Sequence, residues 1–293
     1  MKKDKAEGGR MRAEVNKSFD SSLIPHPSSF VSKKRFGQHF LRDQNIIRKI
    51  IDGAGVSKDD IVLEIGPGFG DMTSLLSQKA ERVMAVELDR ELCSILSEKF
   101  SENNVEIINA DALKFDIGGL YKRVGRKIKV VANLPYNIST PVLFRLLEGK
   151  EYISSMTLMF QKEVADRLVA KPCTKDYGIL SVFAQLYTVP SLLFKVSPHA
   201  FTPPPKVDSA VVRLEMLAEP SVKTDNEELM LKVVKAAFGQ RRKTLLNALS
   251  SGLSLLKNDV EAALKRAGID GSRRGETLTL SEFSTLSNSV ASF

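Results

Sequence analysis

Between residues 43 and 170, short apolar segments alternate with segments whose apolar residues recur at helical spacing. Segments such as DIVLEIG (60–66) and RVMAVELD (82–89) are typical of buried strands, whereas DQNIIRKIIDGAG (43–55) and RELCSILSEKF (90–100) are typical of amphipathic helices. Strands that alternate with helices form βαβ units, in which successive strands run parallel. The pattern therefore predicts an α/β, Rossmann-like fold with a mostly parallel sheet.

The pattern changes after Pro190. Residues 191–217 contain two strand-like segments joined by a proline-rich loop, which predicts an antiparallel hairpin at the edge of the sheet. Residues 220–226 resemble a linker, and only helical patterns follow, among them RRKTLLNALS (241–250). We therefore predict three parts: a flexible N-terminal extension (1–32), an α/β domain (33–219) and a small all-helical C-terminal domain (220–293).

A strand, a glycine-rich turn and a helix follow one another in VLEIGPGFGDMTSLL. Glycines at 66, 68 and 70 permit a tight turn and let a ligand approach the backbone closely. The dinucleotide fingerprint is G-x-G-x-x-G, with a helix N-terminus directed at a pyrophosphate. Here the helix begins at Asp71, whose charge would repel a pyrophosphate. The turn argues against a dinucleotide, although an ordinary βα turn remains the alternative.

Two acids follow the next two predicted strands. Glu87 lies 21 residues after Gly66, where a carboxylate can hydrogen-bond both hydroxyls of a ribose. Asp111 lies in the strand predicted over 105–113 and can accept a hydrogen bond from an adenine amine, although an Asp after a strand is often only a helix cap. Both acids are expected at the carboxyl edge of the sheet, where open α/β sheets bind ligands. Together with the glycine turn they fit an adenosyl group without phosphates, such as that of S-adenosylmethionine.

The strand predicted over 129–136 ends in the tetrapeptide Asn133–Tyr136. The Asn133 amide oxygen and the Leu134 carbonyl can accept the two hydrogens of an amino nitrogen on a flat ring. Pro135 fixes the backbone and biases Leu134 towards an extended conformation. Tyr136 offers an aromatic face on which a base extruded from a helix can stack. The tetrapeptide alone therefore indicates a site that an amino nitrogen on a flat ring would fit, with capping of the next helix as the alternative for Asn133.

The formal net charge of +8 indicates a polyanionic partner, because Lys and Arg release counterions from a phosphate backbone. Two clusters concentrate this charge, although either one taken singly is more often a solvated face. The two predicted RNA-binding clusters are Lys33, Lys34 and Arg35, and Arg241, Arg242 and Lys243.

The two cysteines lie far apart without metal-ligand spacing and the three histidines are scattered, so we expect no metal site. The first thirty residues lack the apolar region of a secretory signal, and no apolar run approaches the length of a membrane span. These features predict a cytoplasmic protein with two reduced thiols.

At the level of whole motifs, the chain resembles the small-subunit (16S) ribosomal RNA adenine N6,N6-dimethyltransferase family of bacterial type. The resemblance runs from about Lys33 to the C-terminal helices, and the joint order and spacing of its motifs make it specific. The motifs are KKRFGQHFLRD, VLEIGPGFGDMT, VELDREL, NADAL, NLPYNIS, QKEVADRLVAKPCTKDYG, FTPPPKVDSAVVRL and FGQRRKTLLNAL.

The resemblance implies an S-adenosylmethionine-dependent methyltransferase that dimethylates N6 of two adjacent adenosines near the 3′ end of small-subunit rRNA, in immature 30S subunits. It implies a monomer whose residues 33–219 are catalytic and whose residues 220–293 bind RNA or the ribosome. The alternatives are a methyltransferase of large-subunit rRNA, a non-catalytic assembly or transcription factor on the same fold, and a DNA or protein-amide N-methyltransferase.

The resemblance also implies roles for individual residues. Asn133, Leu134, Pro135 and Tyr136 match the family's catalytic tetrapeptide, and Phe201 is expected to join Tyr136 at the target base. For His39 and Phe201, structural roles in a loop and in the core remain the alternatives. The implied cofactor-binding residues are Gln38, His39, Leu41, Gly66, Gly68, Glu87, Leu88, Asp111, Ala112 and Asn133.

Overall fold

The computed structural model describes residues 39–293, which form a seven-stranded mixed sheet, a two-stranded ribbon and eleven α-helices. The predicted extension 1–32 and the predicted site residues Lys33, Lys34, Arg35 and Gln38 lie outside the described residues. The strands are β1 (Phe40–Leu41), β2 (Ile61–Ile65), β3 (Arg82–Glu87), β4 (Val105–Asn109), β5 (Ile128–Asn133), β6 (Ile153–Gln161), β7 (Thr188–Val196), β8 (Phe201–Thr202) and β9 (Ser209–Met216). The helices are α1 (Gln44–Ala54), α2 (Asp71–Lys79), α3 (Arg90–Lys99), α4 (Ile117–Val124), α5 (Ser139–Glu148), α6 (Lys162–Val169), α7 (Ile179–Tyr187), α8 (Glu227–Gly239), α9 (Leu245–Leu253), α10 (Lys257–Arg266) and α11 (Leu280–Val290).

The strand order of the large sheet is β4-β3-β2-β5-β6-β9-β7. The first five strands in this order are parallel, and β9 pairs antiparallel with both β6 and β7. The predicted parallel sheet with an antiparallel hairpin at its edge is therefore confirmed. The ribbon pairs β1 with β8, and so joins the segment before α1 to the proline-rich loop.

Two apolar layers cover the sheet because side chains alternate along each strand. In β2, Leu63 packs into a large cluster that contains α5 and α6 residues such as Leu143 and Leu168. Its neighbour Val62 packs on the other face against α1 and α2, through residues such as Ile50 and Leu76. Burial on both faces explains why the central strands read as continuous apolar runs.

The site lies where the order of the parallel strands in the sheet reverses. From β2 the chain adds β3 and β4 on one side, and then returns to place β5 on the other side of β2. Ligands of open α/β sheets bind at the carboxyl ends of the strands that flank such a switch point. This reversal brings the turn after β2 next to the end of β5.

Several predicted elements have different bounds in the structure. The strand predicted over 105–113 ends at Asn109, and the strand predicted over 129–136 ends at Asn133. The helix predicted over 241–250 begins only at Leu245, because Thr244 has an extended backbone and the residues before it form a turn. The cationic cluster 241–243 therefore lies on a turn between helices.

Helix α7 had no counterpart among the predicted elements. Its sequence ILSVFAQLY is apolar on nearly all sides, so it lacks the amphipathic periodicity that identifies a surface helix. The absence of a polar stripe is explained by its burial between the sheet and the C-terminal helices. Tyr187, at its end, donates a hydrogen bond of 2.9 Å to Glu227 at the start of α8.

Helices α8 to α11 follow an irregular segment at 217–226 and share one apolar cluster with the sheet. Phe238 of α8 contacts the rings of Tyr177 and Phe283, with ring centroids 5.9 Å apart in both pairs. The predicted domain boundary at 219/220 stays a prediction. Within residues 39–293, no helix is both long and apolar enough to cross a membrane.

Candidate active site

A cavity of about 380 Å³ opens at the carboxyl ends of β2, β3, β4 and β5. It is bounded by the glycine turn, the ends of β3 and β4, the tetrapeptide after β5 and the segment around β1. Twelve of the predicted site residues line it: His39, Leu41, Gly66, Gly68, Glu87, Leu88, Asp111, Ala112, Asn133, Leu134, Pro135 and Tyr136. Segments that are far apart in the chain therefore meet at one cavity.

The glycine turn keeps its side of the cavity open. Gly66 and Gly68 have φ angles of +70° and +58°, which residues with a Cβ rarely adopt. A Cβ on Gly68 would lie 2.9 Å from Cδ1 of Phe40, so the turn and the β1 segment can approach this closely only with glycine at that position. At these two positions a ligand in the cavity therefore meets backbone, while Pro67 and Phe69 of the same turn also line the cavity.

Glu87, the last residue of β3, places a carboxylate at the cavity wall with only 8% of the residue exposed. One of its oxygens accepts a hydrogen bond of 2.9 Å from the backbone N–H of Asp89. Burial raises the pKa of this carboxyl above its usual value, and the backbone N–H groups around it act in the opposite direction. The carboxylate is thus oriented by the backbone and faces the cavity as an acceptor.

Asp111 sits in the turn after β4 rather than within the strand. Its Oδ1 accepts a hydrogen bond of 2.9 Å from the backbone N–H of Leu113, so the carboxyl takes part in a local turn. The alternative of a helix cap is wrong for Asp111, because this bond closes a turn and the N-cap residue of α4 is Asp116. Asp111 also lines the cavity, and its Oδ2 is not used in this turn bond.

The tetrapeptide holds its amide in a defined orientation. Asn133 Nδ2 donates a hydrogen bond of 3.2 Å to the backbone carbonyl of His39. A carbonyl can only accept, so this contact assigns the nitrogen to the His39 side and leaves Oδ1 as the acceptor for a ligand. The N-cap residue of α5 is Ile138, so Asn133 does not cap that helix.

The aromatic residue of the tetrapeptide is fixed through both its backbone and its ring. Its backbone carbonyl accepts a hydrogen bond of 3.1 Å from the hydroxyl of Ser139. The Tyr136 hydroxyl lies 2.5 Å from Ser209 Oγ, and the ring stacks on His39 with centroids 5.5 Å apart. Burial raises the pKa of the Tyr136 phenol.

Phe201 is not brought to the cavity. The residue is only 4% exposed and packs in the apolar cluster beneath the ribbon, with its strand paired to Leu41. This position agrees with the core alternative. Its contact with a target base stays a prediction, because in this arrangement the Phe201 side chain does not reach the cavity.

Glu64 is a cavity residue that the sequence reasoning missed. It lies in the middle of β2 and is completely buried, and neither carboxyl oxygen forms a hydrogen bond of normal geometry with a described residue, although the nearby Thr73 hydroxyl favours its charged form. Burial, with a smaller contribution from the charge of Glu87, raises the pKa of Glu64 to about 8. An acid inside the apolar strand IVLEI was the available signal, because such burial is costly unless a partner is present.

The three cationic residues of the turn between α8 and α9 differ in their contacts. The Arg241 guanidinium donates hydrogen bonds of 2.5 Å to the carbonyl of Lys175 and 3.3 Å to that of Tyr177. These hydrogen bonds of Arg241 connect this turn to the loop after α6. Arg241, Arg242 and Lys243 are all exposed, as a contact with RNA would need.

Cys93 is buried, Cys173 is exposed, and neither forms a disulfide. Within residues 39–293, no group of three or more His, Cys, Asp and Glu side chains has the arrangement of a metal site.

Most of the chain is similar to a known protein family and to individual proteins of bacteria. The family model described as ribosomal RNA adenine dimethylase matches residues 29–292. The chain is 50% identical over 275 residues to ribosomal RNA small subunit methyltransferase A of Alkaliphilus metalliredigens, covering 92% of this chain and 96% of the relative. The corresponding protein of Clostridium botulinum (strain Loch Maree) is 47% identical over 268 residues, covering 91% and 97%.

Two solved structures share the fold. A dimethyladenosine transferase from Plasmodium falciparum aligns with a TM-score of 0.71 and 26% identity, covering 85% of this chain and 96% of the other. The 23S rRNA methyltransferase ErmE aligns with a TM-score of 0.65 and 30% identity, covering 86% and 99%.

Proposed function

This chain belongs to the ribosomal RNA adenine dimethylase family, and from that premise we propose that it dimethylates N6 of two adjacent adenosines near the 3′ end of small-subunit (16S) rRNA. The methyl donor is S-adenosylmethionine, which supplies an electrophilic methyl group on a sulfonium. The relatives with 50% and 47% identity are named for the small subunit, which favours it over the large-subunit target of ErmE. We further propose a monomeric cytoplasmic enzyme that acts on immature 30S subunits.

The cavity has the donor and acceptor groups that an adenosyl ligand needs. The Glu87 carboxylate, held by the Asp89 N–H, is placed to accept the ribose hydroxyl hydrogens, and Asp111 Oδ2 to accept from the adenine amine. A side chain on Gly66 would stand 3.8 Å from the Asn133 carbonyl oxygen and fill the passage between the turn and the tetrapeptide. The methionine end of S-adenosylmethionine then lies along this passage, close to Asn133.

The tetrapeptide acts on the target amine. Adenine N6 is a poor nucleophile because its lone pair is delocalised into the ring. Asn133 Oδ1 and the Leu134 carbonyl accept its two hydrogens, which favours a tetrahedral nitrogen with a localised lone pair. After the first transfer one hydrogen remains on N6, so one acceptor still has a partner and a second methylation can follow.

Transfer then requires an extruded base held in line with the methyl group. A base inside a helix must be unstacked first, and stacking on Tyr136 contributes roughly 1–3 kcal/mol towards that cost. Positioning rather than strong base catalysis accounts for the acceleration, since the proton on N6 leaves after transfer. The orientation of the Asn133 amide, fixed by the His39 carbonyl at the cavity wall, is the observation that carries this proposal.

The direct test is methylation in vitro with tritiated S-adenosylmethionine, followed by mass spectrometry of digested rRNA. Immature 30S particles and large-subunit rRNA are offered separately. We expect dimethyladenosine only in the small-subunit RNA, at adjacent positions near its 3′ end. Labelling of the large-subunit RNA alone would favour the ErmE-like activity, and binding of particles without methylation would favour an assembly factor.

The exposed cations of the α8–α9 turn provide a further prediction. Replacing Arg242 and Lys243 together by Ala should weaken binding to 30S particles and make the plot of log K against log salt shallower by about one unit per lost phosphate contact. Affinities measured at several salt concentrations check this. Arg241 is left in place because its guanidinium bonds the backbone of the neighbouring loop.

The matched control removes the same charge elsewhere. Lys122 and Lys127 are exposed near the start of β5, and replacing both by Ala should leave the salt dependence nearly as in the wild type. An equal effect of both double variants would show that overall charge, rather than this turn, sets the affinity.

A further inference from the structure

The ring of Tyr136 lies in a turn, yet it is held on several sides. The turn closes through a hydrogen bond of 3.1 Å from the N–H of Ile138 to the carbonyl of Pro135. The phenol hydroxyl lies 2.5 Å from Ser209 Oγ, and His39 stacks against the ring. The His39 ring is itself held by a hydrogen bond of 2.8 Å from Nδ1 to the carbonyl of Pro203.

Ser209 is a rigid anchor for the phenol. It is the first residue of β9, is completely buried, and pairs with Gln161 of β6 on one side and Val196 of β7 on the other. A side chain on a strand bonded from both sides holds its position more accurately than one in a loop. The hydroxyl of Ser209 therefore holds the hydroxyl end of the Tyr136 ring in a fixed position relative to the sheet, although the two residues are 73 positions apart in the chain.

We propose that Ser209 is a positioning residue for the target adenine, because its hydroxyl fixes the outer end of the Tyr136 ring on which the base stacks, while the His39 ring packed against that ring sets its plane. The inference rests on the proposed function, since it concerns the stacking surface of that same site. It also gives the sequence FTPPPKVDS a role. This segment supplies both Ser209, which holds the ring edge, and Pro203, which holds His39 against the ring face.

The test is a double-mutant cycle of Ser209→Ala and Tyr136→Phe. Each single variant loses the same hydrogen bond, and we expect kcat for methyl transfer to fall about three- to tenfold. KM for 30S particles should stay near the wild-type value, because contacts remote from the base dominate binding. The double variant should be no slower than Tyr136→Phe, because no bond remains for Ser209 to make.

Thermal stability provides a second test of the hydrogen bond between Tyr136 and Ser209. Tyr136→Phe leaves the buried Ser209 hydroxyl without its partner, and a buried unsatisfied hydroxyl destabilises a protein. Adding Ser209→Ala removes that hydroxyl, so the double variant should melt at a higher temperature than Tyr136→Phe. A melting temperature that falls further in the double variant would contradict the pairing.

Ser181→Ala is the matched control. Ser181 is also completely buried, but its hydroxyl donates to the backbone carbonyl of Arg167, away from the cavity. This variant should lose stability with little change in kcat. If Ser209→Ala behaves in the same way, with stability lowered and kcat unchanged, Ser209 is only structural and the proposal is overturned.

A measurement without RNA separates this inference from the proposed function. In NMR spectra of protein with ¹³C-labelled tyrosine rings, the Tyr136 signal is identified by its loss in Tyr136→Phe and should shift or broaden in Ser209→Ala. An unchanged signal overturns the positioning role whatever the substrate is. Absence of methylation by the wild type, with the NMR effect present, would instead overturn the proposed function.

Discussion

Replacement of Asn133 by Ala is expected to lower methyl transfer by about 10²–10³-fold, the cost typical of removing one group that stabilises a transition state, while affinity for S-adenosylmethionine stays nearly unchanged. The change removes Oδ1, the side-chain acceptor for N6, and the bond from Nδ2 to the His39 carbonyl. The backbone at the end of β5 stays paired with Met159, so the glycine turn and Glu87 keep their places. Tritiated methyl incorporation and calorimetric binding of S-adenosylmethionine measure the two effects separately.

Asn137→Ala is the matched control for this prediction. Asn137 carries the same amide four residues later, lines the same cavity and is exposed. Its replacement should leave methyl transfer close to the wild-type rate. Methylation by Asn133→Ala near the wild-type rate would exclude the amide as the acceptor, and a parallel loss of cofactor affinity would assign Asn133 mainly to cofactor binding.

Glu64→Gln is expected to stabilise the cofactor-free protein increasingly as the pH rises. Burial raises the pKa of Glu64 from 4.5 when unfolded to about 8 when folded, so between these values the folded state binds one more proton than the unfolded state. This contribution to stability is complete below pH 4.5 and is lost as the pH rises through about 8. Glutamine does not titrate, so the stability of the variant relative to wild type should rise by about 1.4 kcal/mol per pH unit in this window.

Urea unfolding of both proteins between pH 5 and pH 8.5 measures this difference. Glu98→Gln, on the exposed side of α3, is the control and should follow the pH profile of the wild type. If the profiles of Glu64→Gln and wild type run parallel, Glu64 is already ionised in the folded protein at pH 5.

Much of the site was predictable because it lies at strand ends. Glu87 and Asn133 both end parallel strands, and the carboxyl ends of parallel strands share one edge of a sheet. Their meeting therefore follows once the βαβ pattern has been recognised. His39, Leu41 and Leu88, which also line the cavity, were assigned by resemblance to the family.

The surroundings of these residues were less predictable. Helix α7 was missed because its burial removes the periodicity that identifies a helix. Arg241 and Arg242 are adjacent, chemically identical and both exposed, yet it is Arg241 that donates hydrogen bonds to the backbone carbonyls of a neighbouring loop. No local pattern distinguishes the two, since the difference arises from a loop more than sixty residues away.

Periodicity and turn chemistry are local properties of the chain, so they were enough to predict the parallel sheet, the glycine turn and the strand-end positions of Glu87 and Asn133. The packing of Phe201 in the core, the burial of Glu64 at the cavity wall and the contact of Ser209 with Tyr136 became evident from the folded protein. The positions of Phe201 and Ser209 depend on the register of β1 against β8 and of β9 against β6, and the position of Glu64 on that of β2 against β3 and β5. These registers are set by the packing of whole faces and not by any single residue.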